Sequence, residues 1–339
     1  MSTETMKAIR LHAFGGPEVL RYEDAPKPAL HAGEVLVRVH AAGINPPDWY
    51  LRDGFRSLPE DWRPAVPLPV IPGTDVSGVV EAVAPDVTVF DVGDPVFGMV
   101  RFPGISGSAY AEYVAAPAAD LARKPDGIDH ASAAAAPMAL LTAWQFLVEL
   151  GHDAPNPFQS VPHRPVPLAG RKVVVNGAAG GVGHLALQLA KWQGAHVVAI
   201  ASGAHEAFLR DIGADAFVDY TKAGTADLPH DADVVLDTVG GPGTGRFLAM
   251  LKPGGALFPV YPLGFSGTDD AARAGYTVST TQVRSSGAQL AQAARLLDDG
   301  TVRVAIDSRF PLADARGAHE RAARGHLRGK IVLTVTRAP

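Results

Sequence analysis

The sequence predicts an α/β protein with two domains, one made of short strands and one built on a parallel sheet. The chain has 339 residues, enough for two packed domains of roughly 100–200 residues each. Short strand patterns separated by Gly and Pro occupy the first third of the chain, whereas strand and helix patterns alternate after residue 171. A glycine-rich turn at residues 177–183 joins a strand pattern to a helix pattern in the middle of the chain.

Residues 6 to about 123 are predicted to form an all-β domain. Residues 34–40 alternate apolar and charged side chains, as a half-buried strand does. Residues 76–83, 95–100 and 110–115 give further strands between turns that contain Gly or Pro. We expect a barrel, because closure of a sheet protects its edge strands.

A helix is predicted over residues 133–150, where Ala, Leu and Met predominate, with Pro137 in a first turn and Gly151 just after the end. Residues 151–170 contain five prolines, which are incompatible with a central strand or a helix. We interpret this segment as an inserted surface loop or spacer.

From residue 171 the pattern is that of a doubly wound fold, with continuous apolar strands between helices. The predicted strands are 173–176, 195–201, 216–218, 234–237 and 256–260. The predicted helices are 182–193, 205–212, 244–251 and 289–298. After residue 300 we predict a strand over 303–310, a short helix near 314–324, and a final strand over 330–335 that completes the β-rich domain.

Composition excludes several classes of function. Hydrophobic residues make up 47% of the chain, charged residues 19%, and the formal net charge is -5; nothing here indicates nucleic acid or an anionic membrane as a partner. Without an apolar segment in residues 1–10 or an apolar run of ~18 residues, we expect a cytoplasmic protein. The lack of cysteine excludes disulfides, thiol nucleophiles and thiolate metal sites.

The 12 histidines do not form the spacings that bind metals, such as His-x-His or His-Glu-x-x-His, so we predict no metal. His319 and His326 are about two turns apart on a predicted helix. We interpret both as surface or capping residues.

The turn Gly177-Ala-Ala-Gly-Gly-Val-Gly183 predicts a dinucleotide site. Ala178, Gly180 and Gly183 occupy the three glycine positions of the G-x-G-x-x-G pattern, with Ala in the first. Gly180 allows the backbone to approach a pyrophosphate, and Gly183 allows the helix to lie close to the strand. The N–H groups at the start of the helix bind anions. The residues predicted to contact the cofactor here are Ala179, Gly180, Gly181 and Val182.

The cofactor is predicted to be NADP(H). The second strand of this region leads to Ser202, where an NAD site usually carries Asp or Glu for the ribose 2′-hydroxyl. Without that acid a 2′-phosphate is not repelled, and His205, Arg210 and Tyr220 are nearby candidates to contact it. Arg210 is equally well explained as a solvated helix residue.

Several further segments resemble the medium-chain dehydrogenase/reductase superfamily, specifically its zinc-free quinone oxidoreductase and enoyl reductase branch. The resemblance covers nearly the whole chain. Besides the glycine turn, the matching segments are Ala42-Gly-Ile-Asn-Pro-Pro-Asp48, Pro72-Gly-Thr-Asp75, Val92-Gly-Asp-Pro-Val-Phe-Gly98, Leu141-Thr-Ala-Trp144, Leu236-Asp-Thr-Val-Gly-Gly241 and Arg328-Gly-Lys-Ile-Val-Leu333.

This resemblance implies a GroES-like β-barrel catalytic domain of residues 1–125 and 300–339, and a Rossmann NADP-binding domain of residues 126–299, with the active cleft between them. It also implies a homodimer acting on a small molecule. Zinc-dependent relatives place a Cys ligand in the segment Gly43-Ile44-Asn45 and a His ligand in the segment 73–75, and this chain has neither. We therefore expect metal-free hydride transfer from NADPH to quinones or other α,β-unsaturated carbonyls, with hydrogen-bond donors stabilising the developing oxyanion.

The resemblance also implies roles for single residues. Asn45 matches the family asparagine beside the nicotinamide, and its amide is a candidate donor to substrate or cofactor. Tyr50 corresponds to a tyrosine lining the substrate pocket, and Arg56 replaces a second one, so the proton source stays open between Tyr50, Arg56 and bulk water. Residues expected to border the cofactor are Thr142, Thr238, Val260, Tyr261, Arg284 and Lys330.

Two alternatives remain at this stage: an enoyl-thioester reductase of a biosynthetic pathway, and a non-catalytic NADPH-binding protein that shares every motif. Short-chain dehydrogenases are disfavoured, because the chain has no Tyr-x-x-x-Lys pattern and its glycine turn is not N-terminal.

Overall fold

A computed structural model of the chain describes residues 4–154, 162–222, 224 and 228–335. The chain divides into two compact units. Unit 1 comprises Met1–Leu141, Val283–Gly300 and Val304–Pro339, and unit 2 comprises Thr142–Gln282 and Thr301–Arg303.

In chain order the strands are β1 (Thr5–Leu11), β2 (Leu20–Pro26), β3 (Glu34–Gly43), β4 (Asp75–Val83), β5 (Pro95–Met99), β6 (Tyr113–Pro117), β7 (Leu121–Arg123), β8 (Lys172–Asn176), β9 (His196–Ala201), β10 (Ala216–Asp219), β11 (Ala232–Asp237), β12 (Leu251–Pro259), β13 (Thr277–Val278), β14 (Ile306–Pro311) and β15 (Lys330–Thr334). The α-helices are α1 (Pro46–Arg52), α2 (His130–Ala135), α3 (Pro137–Leu147), α4 (Gly181–Trp192), α5 (Glu206–Asp211), α6 (Thr268–Arg273), α7 (Gly287–Asp298) and α8 (Ala315–Ala323).

Unit 2 contains a parallel sheet with the strand order β10-β9-β8-β11-β12-β13. Numbered from β8, this is the order 3-2-1-4-5-6 of a Rossmann fold. The central strands β8 and β11 bury nearly all their side chains, because helices on both faces of such a sheet exclude water. The predicted doubly wound parallel sheet is confirmed.

Unit 1 is organised around β3, which pairs with three strands. Its first half pairs with β6, its second half pairs with β15, and β4 runs along its other edge. The strand β15 comes from the far end of the sequence, as predicted, and extends the sheet formed by the first third of the chain. Helix α2 packs on β3 and β4, and α7 packs on β7. Packing places residues 126–141 and 283–299 in unit 1, whereas the sequence prediction assigns them to the Rossmann domain.

Two predicted helices differ in the structure, and one helix of the structure was not predicted. The helix over 133–150 is two helices, because Pro137 lacks the N–H that would continue α2 and instead begins α3. Helix α3 ends at Leu147, so Gly151, with φ of 73°, lies beyond its end. The helix over 244–251 is a 3-10 helix, Thr244–Met250, followed directly by β12. Helix α1 was not predicted; Pro46 and Pro47 occupy its first turn, where no N–H is required.

The end of the predicted insertion is anchored by a buried histidine. Residues 155–161, with Pro155 and Pro157, lie outside the described residues. His163 is buried, and its Nε2 donates to the Phe146 carbonyl at 3.0 Å, so its Nδ1 accepts from the Ser279 hydroxyl at 3.0 Å. Burial lowers the pKa of His163 to about 4.

His163 should make unit 2 less stable in acid. Because its pKa is 6.5 when solvated and about 4 when folded, the unfolded chain binds a proton that the folded protein does not. The stabilisation is present above pH 6.5 and is lost as the pH falls towards 4. Between pH 7 and pH 4.5 the loss is about 2 kcal/mol. His163→Gln keeps a donor and an acceptor but cannot take up the proton. The free energies of unfolding of the wild type and this variant, measured with urea, should therefore approach each other by this amount between pH 7 and pH 4.5. A difference that stays constant with pH would contradict the assignment.

Candidate active site

The glycine turn of unit 2 forms a cradle at the end of β8. Gly177 adopts φ of 71°, Gly180 is the N-cap residue, and α4 begins at Gly181. A side chain on Gly183 would overlap the Gly177 carbonyl oxygen, so the glycine allows α4 to approach the turn. The N–H groups of the first helical turn have no acceptors within the helix. These features fit the pyrophosphate of a dinucleotide.

Asp237, the last residue of β11, connects the loop after β11 to the end of β8, where the glycine turn begins. Its Oδ1 accepts from Asn176 Nδ2 at 2.7 Å and from the N–H groups of Val239 and Gly240 at 3.1 Å, and its Oδ2 accepts from the Thr244 hydroxyl at 2.7 Å. The carboxylate is 1% exposed. The loops that follow β8 and β11 are therefore held together by one buried side chain.

The other predicted cofactor residues of unit 2 follow the same sheet edge. Thr238 Oγ1 donates to the Asn176 carbonyl at 2.7 Å. Val260 N donates to the Asp237 carbonyl at 2.9 Å, and the backbone of Tyr261 packs against Gly240. Parallel strands end at one edge of a sheet, so these residues lie beside the glycine turn. Thr142 is buried in α3.

The region predicted to discriminate NADP from NAD contains an acid that the sequence analysis missed. Ser202 follows β9 directly and precedes a 3-10 turn, Gly203–His205. Asp219, at the end of β10, accepts a hydrogen bond from Thr221 Oγ1 at 2.6 Å. It lies against Gly203 and also accepts a hydrogen bond from the Gly203 N–H. Tyr220 is 51% exposed. Arg210 donates to the Asp215 carbonyl at 2.7 Å, which favours its interpretation as a solvated helix residue.

In unit 1 the side chain of Asn45 lies at the centre of a buried polar cluster. Asn45 is the N-cap residue of α1 and is 2% exposed. Its Nδ2 donates to Asp75 Oδ2 at 2.9 Å, and its Oδ1 accepts from Lys330 Nζ. Lys330 also donates to the Ile44 carbonyl at 2.7 Å, and Asp75 accepts from Met138 N at 3.0 and 3.1 Å. The residues that begin β4 and β15 therefore meet at one amide, and the start of α3 is bonded to Asp75.

A second part of the cluster supports the start of α1. Asp48 Oδ2 accepts from Asn45 N and from the Tyr110 hydroxyl, both at 2.8 Å. Arg52 can only donate, so its 2.9 Å contact with His319 Nδ1 leaves the His319 proton on Nε2, which faces the Tyr110 hydroxyl at 3.4 Å. His319 is 1% exposed, and the prediction of a surface or capping role was wrong for it; His326 is exposed.

Burial controls the ionisation of these groups. It raises the pKa of Asp48 to about 7 and that of Asp75 to about 6, against the opposing effect of Lys330 and of their hydrogen bonds. Burial also lowers the pKa of Lys330 and brings that of His319 to about 3. Asp75 accepts hydrogen bonds at both oxygens, so we assign it the ionised form opposite a protonated Lys330.

The remaining predicted residues of unit 1 are more exposed. Tyr50 is half-buried on α1, with its ring 6.1 Å from that of Trp49. Arg56 is exposed beyond the end of α1, and its N–H donates to Asp53. Arg284 lies in the segment before α7. Of the predicted residues in this unit, the structure brings Asn45 and Lys330 into direct contact.

A Rossmann sheet with a glycine cradle, together with a separate β-rich unit that carries a buried polar cluster, defines the class of two-domain nicotinamide-dependent oxidoreductases. Two family descriptions match the chain: "Alcohol dehydrogenase GroES-like domain" over residues 31–126 and "Zinc-binding dehydrogenase" over residues 212–333. Among the described residues no group of three or more His, Asp or Glu side chains is placed to hold a metal ion.

Similar proteins agree on one family. The quinone oxidoreductase of Mus musculus is 31% identical over 97% of this chain and 97% of its own length. The NADPH-dependent alkenal/one oxidoreductase of Arabidopsis thaliana is 32% identical over 97% of this chain and 79% of its own length. The structure of the quinone oxidoreductase from Coxiella burnetii superposes with a TM-score of 0.85 at 31% identity, covering 98% of this chain and 100% of the other. The chain belongs to the medium-chain dehydrogenase/reductase superfamily, in its quinone oxidoreductase branch, and its GroES-like domain is confirmed.

No helix in the described part of the chain is both long enough and apolar enough to cross a membrane.

Proposed function

We propose that the protein uses NADPH to reduce quinones or other α,β-unsaturated carbonyls without a metal. The observation that carries this proposal is the hydrogen bond between Asn45 and Asp75. These residues stand in the two segments where zinc-dependent relatives place their Cys and His ligands. The segments here supply an amide and a carboxylate that bind each other, which is not the donor set of a catalytic zinc site.

The reaction adds a hydride and a proton to the acceptor. A bound nicotinamide supplies the hydride to the electron-poor carbon of a quinone or enone. The charge that develops on the carbonyl oxygen needs a hydrogen-bond donor, and we assign this task to the Asn45 amide. Tyr50 lines the substrate pocket in this proposal. The proton comes from Tyr50, Arg56 or bulk water, and the products are NADP⁺ and the reduced acceptor.

We also propose which residues contact each part of NADPH. The backbone of Ala179, Gly180, Gly181 and Val182 holds the pyrophosphate. Ser202 and the neighbouring His205 and Tyr220 receive the 2′-phosphate, since Ser202 carries no charge and the Asp219 carboxylate already accepts from Thr221 and Gly203. The residues that would hold the nicotinamide and its ribose are Thr142, Thr238, Val260, Tyr261 and Arg284. We also infer a cytoplasmic homodimer from the family resemblance, and light scattering tests the dimer.

The direct test is the loss of NADPH absorbance with a panel of quinones, enones and enoyl thioesters. Turnover with quinones or simple enones supports the proposal. Turnover confined to enoyl thioesters would make the protein a biosynthetic enoyl reductase instead. NADPH binding without turnover of any acceptor would make it a non-catalytic NADPH-binding protein.

Ser202→Asp should reverse the cofactor preference. An added carboxylate repels a 2′-phosphate and accepts from a ribose hydroxyl, so kcat/KM should fall at least about tenfold for NADPH and change little or rise for NADH. Ser202→Asn has the same shape without the charge and serves as the control. An equal loss with both cofactors, or an unchanged ratio, would place the 2′-phosphate elsewhere.

A further inference from the structure

The Asn45 amide separates a buried cation from a buried carboxylate. Lys330 Nζ donates to its oxygen, and its nitrogen donates to Asp75. All three side chains are at most 5% exposed. The ammonium and the carboxylate therefore interact through the amide, whose negative end faces the cation and whose positive end faces the anion.

This arrangement fixes the orientation of the amide. A flipped Asn45 would place its NH₂ group against the ammonium of Lys330 and its oxygen against the carboxylate of Asp75, which loses two charge-assisted hydrogen bonds inside the protein. Each partner is itself held: Lys330 by the Ile44 carbonyl and Asp75 by Met138 N. These hydrogen bonds therefore hold the Asn45 side chain in one rotamer and its amide in one orientation.

The same charges polarise the amide. The cation at the oxygen draws electron density away from the nitrogen, which makes the amide hydrogens stronger donors, and the anion at one N–H fixes the direction of the amide. The amide nitrogen carries two hydrogens, and only one of them donates to Asp75. The other is a donor whose direction and strength are set by residues that lie 30 and 285 positions away in sequence.

We propose that Lys330 and Asp75 are positioning residues, which fix and polarise the Asn45 amide so that its second Nδ2 hydrogen donates to the carbonyl oxygen of the acceptor. The inference rests on the proposed function. It changes the role of Lys330, which we had predicted to contact the cofactor. Two of its three ammonium hydrogens donate to Ile44 and Asn45, and its effect reaches the reaction through Asn45.

The test is a double-mutant cycle between Asn45→Ala and Lys330→Met. Lys330→Met should lower kcat by about 10- to 100-fold and leave the Kd of NADPH within about twofold. Added to Asn45→Ala, it should lower kcat no further, because the group through which it acts is already absent. Lys330→Gln, which keeps a donor, should recover part of the loss. Should Lys330→Met not fold, Asp75→Asn perturbs the same amide from the other side.

Tyr110→Phe is the matched control. It removes a buried hydrogen bond to Asp48 in the same cluster and does not touch the Asn45 side chain. We expect it to lower thermal stability and leave kcat within about twofold. If it lowers kcat as much as Lys330→Met does, the effect is general loosening of unit 1, and the proposal is wrong.

A second readout does not depend on turnover. The side-chain amide of Asn45, assigned by the NMR resonance pair missing in Asn45→Ala, should show one proton protected from exchange, and this protection should be lost in Lys330→Met. If the wild type has no turnover but shows this signature, the proposed function fails and the positioning of the amide stands. If Lys330→Met leaves the amide and kcat unchanged, or weakens NADPH binding at constant kcat, the inference is overturned.

Discussion

Replacing Asp237 by alanine is expected to lower the free energy of unfolding by about 4 kcal/mol. The substitution removes the acceptor of four hydrogen bonds, from Asn176, Val239, Gly240 and Thr244, at a site that is 1% exposed. Because water cannot replace the carboxylate there, the donors remain unsatisfied. The loops after β8 and β11 should separate, and NADPH binding should weaken with stability. Urea unfolding and fluorescence titration with NADPH measure the two effects.

Asp237→Asn is the control for this change. The asparagine keeps one acceptor oxygen for the N–H groups of Val239 and Gly240, and the Thr244 hydroxyl can rotate to accept from its amide nitrogen. We expect a cost of about 1–2 kcal/mol, since shape and most partners are retained. Equal costs for the alanine and asparagine variants would show that the charge alone stabilises the loops.

Gly183→Ala is expected to weaken NADPH binding by at least about tenfold and to destabilise unit 2 by about 2–3 kcal/mol. The new Cβ would overlap the Gly177 carbonyl oxygen and lie 2.8 Å from the Ala178 Cα. Both neighbours are backbone atoms, so α4 must move away from the turn. That movement displaces the N–H groups assigned to the pyrophosphate.

Substitutions at two other glycines distinguish an effect on NADPH binding from an effect on folding. A Cβ on Gly180 meets only the Gly177 oxygen, at 3.3 Å, and its φ of -75° suits alanine, so Gly180→Ala should fold normally and bind NADPH poorly. Gly243, with open space around its Cβ and φ of -80°, should accept alanine with no effect on either property. Normal NADPH binding by Gly180→Ala would remove the assignment of the pyrophosphate to this turn.

The features that the sequence predicted depend on neighbouring residues. The turn after β8 was identified because strand, glycines and helix follow one another within about twenty residues, and each leaves a local pattern. Helix α1 was missed because Pro46 and Pro47 serve equally well in a turn and in a first helical turn. Local patterns also could not divide residues 133–150 at Pro137, since proline fits both a helix interior kink and a helix start.

The buried cluster around Asn45 could not be predicted in the same way. Its members Asp48, Asp75, Tyr110 and Lys330 come from four segments, and no spacing in the sequence connects them. His319 was assigned to a surface or capping role because the histidines show no metal-binding spacing, whereas the structure places it against Arg52 and Tyr110. Which charged side chains become buried together depends on the segments that the fold brings into contact. In unit 1 the pairing of strands in the sheet determines those segments.

The pairing of β15 with β3 also sets an order of assembly during synthesis. Almost all of unit 2 is contiguous in sequence, so its sheet can form while later residues are still inside the ribosome. Unit 1 must wait for residues 330–334, because β3 lacks one partner strand until they emerge. Until then Asn45 and Asp75 have no Lys330 beside them. The amide to which we assign the chemistry is therefore completed last, after the nucleotide-binding sheet can already have folded.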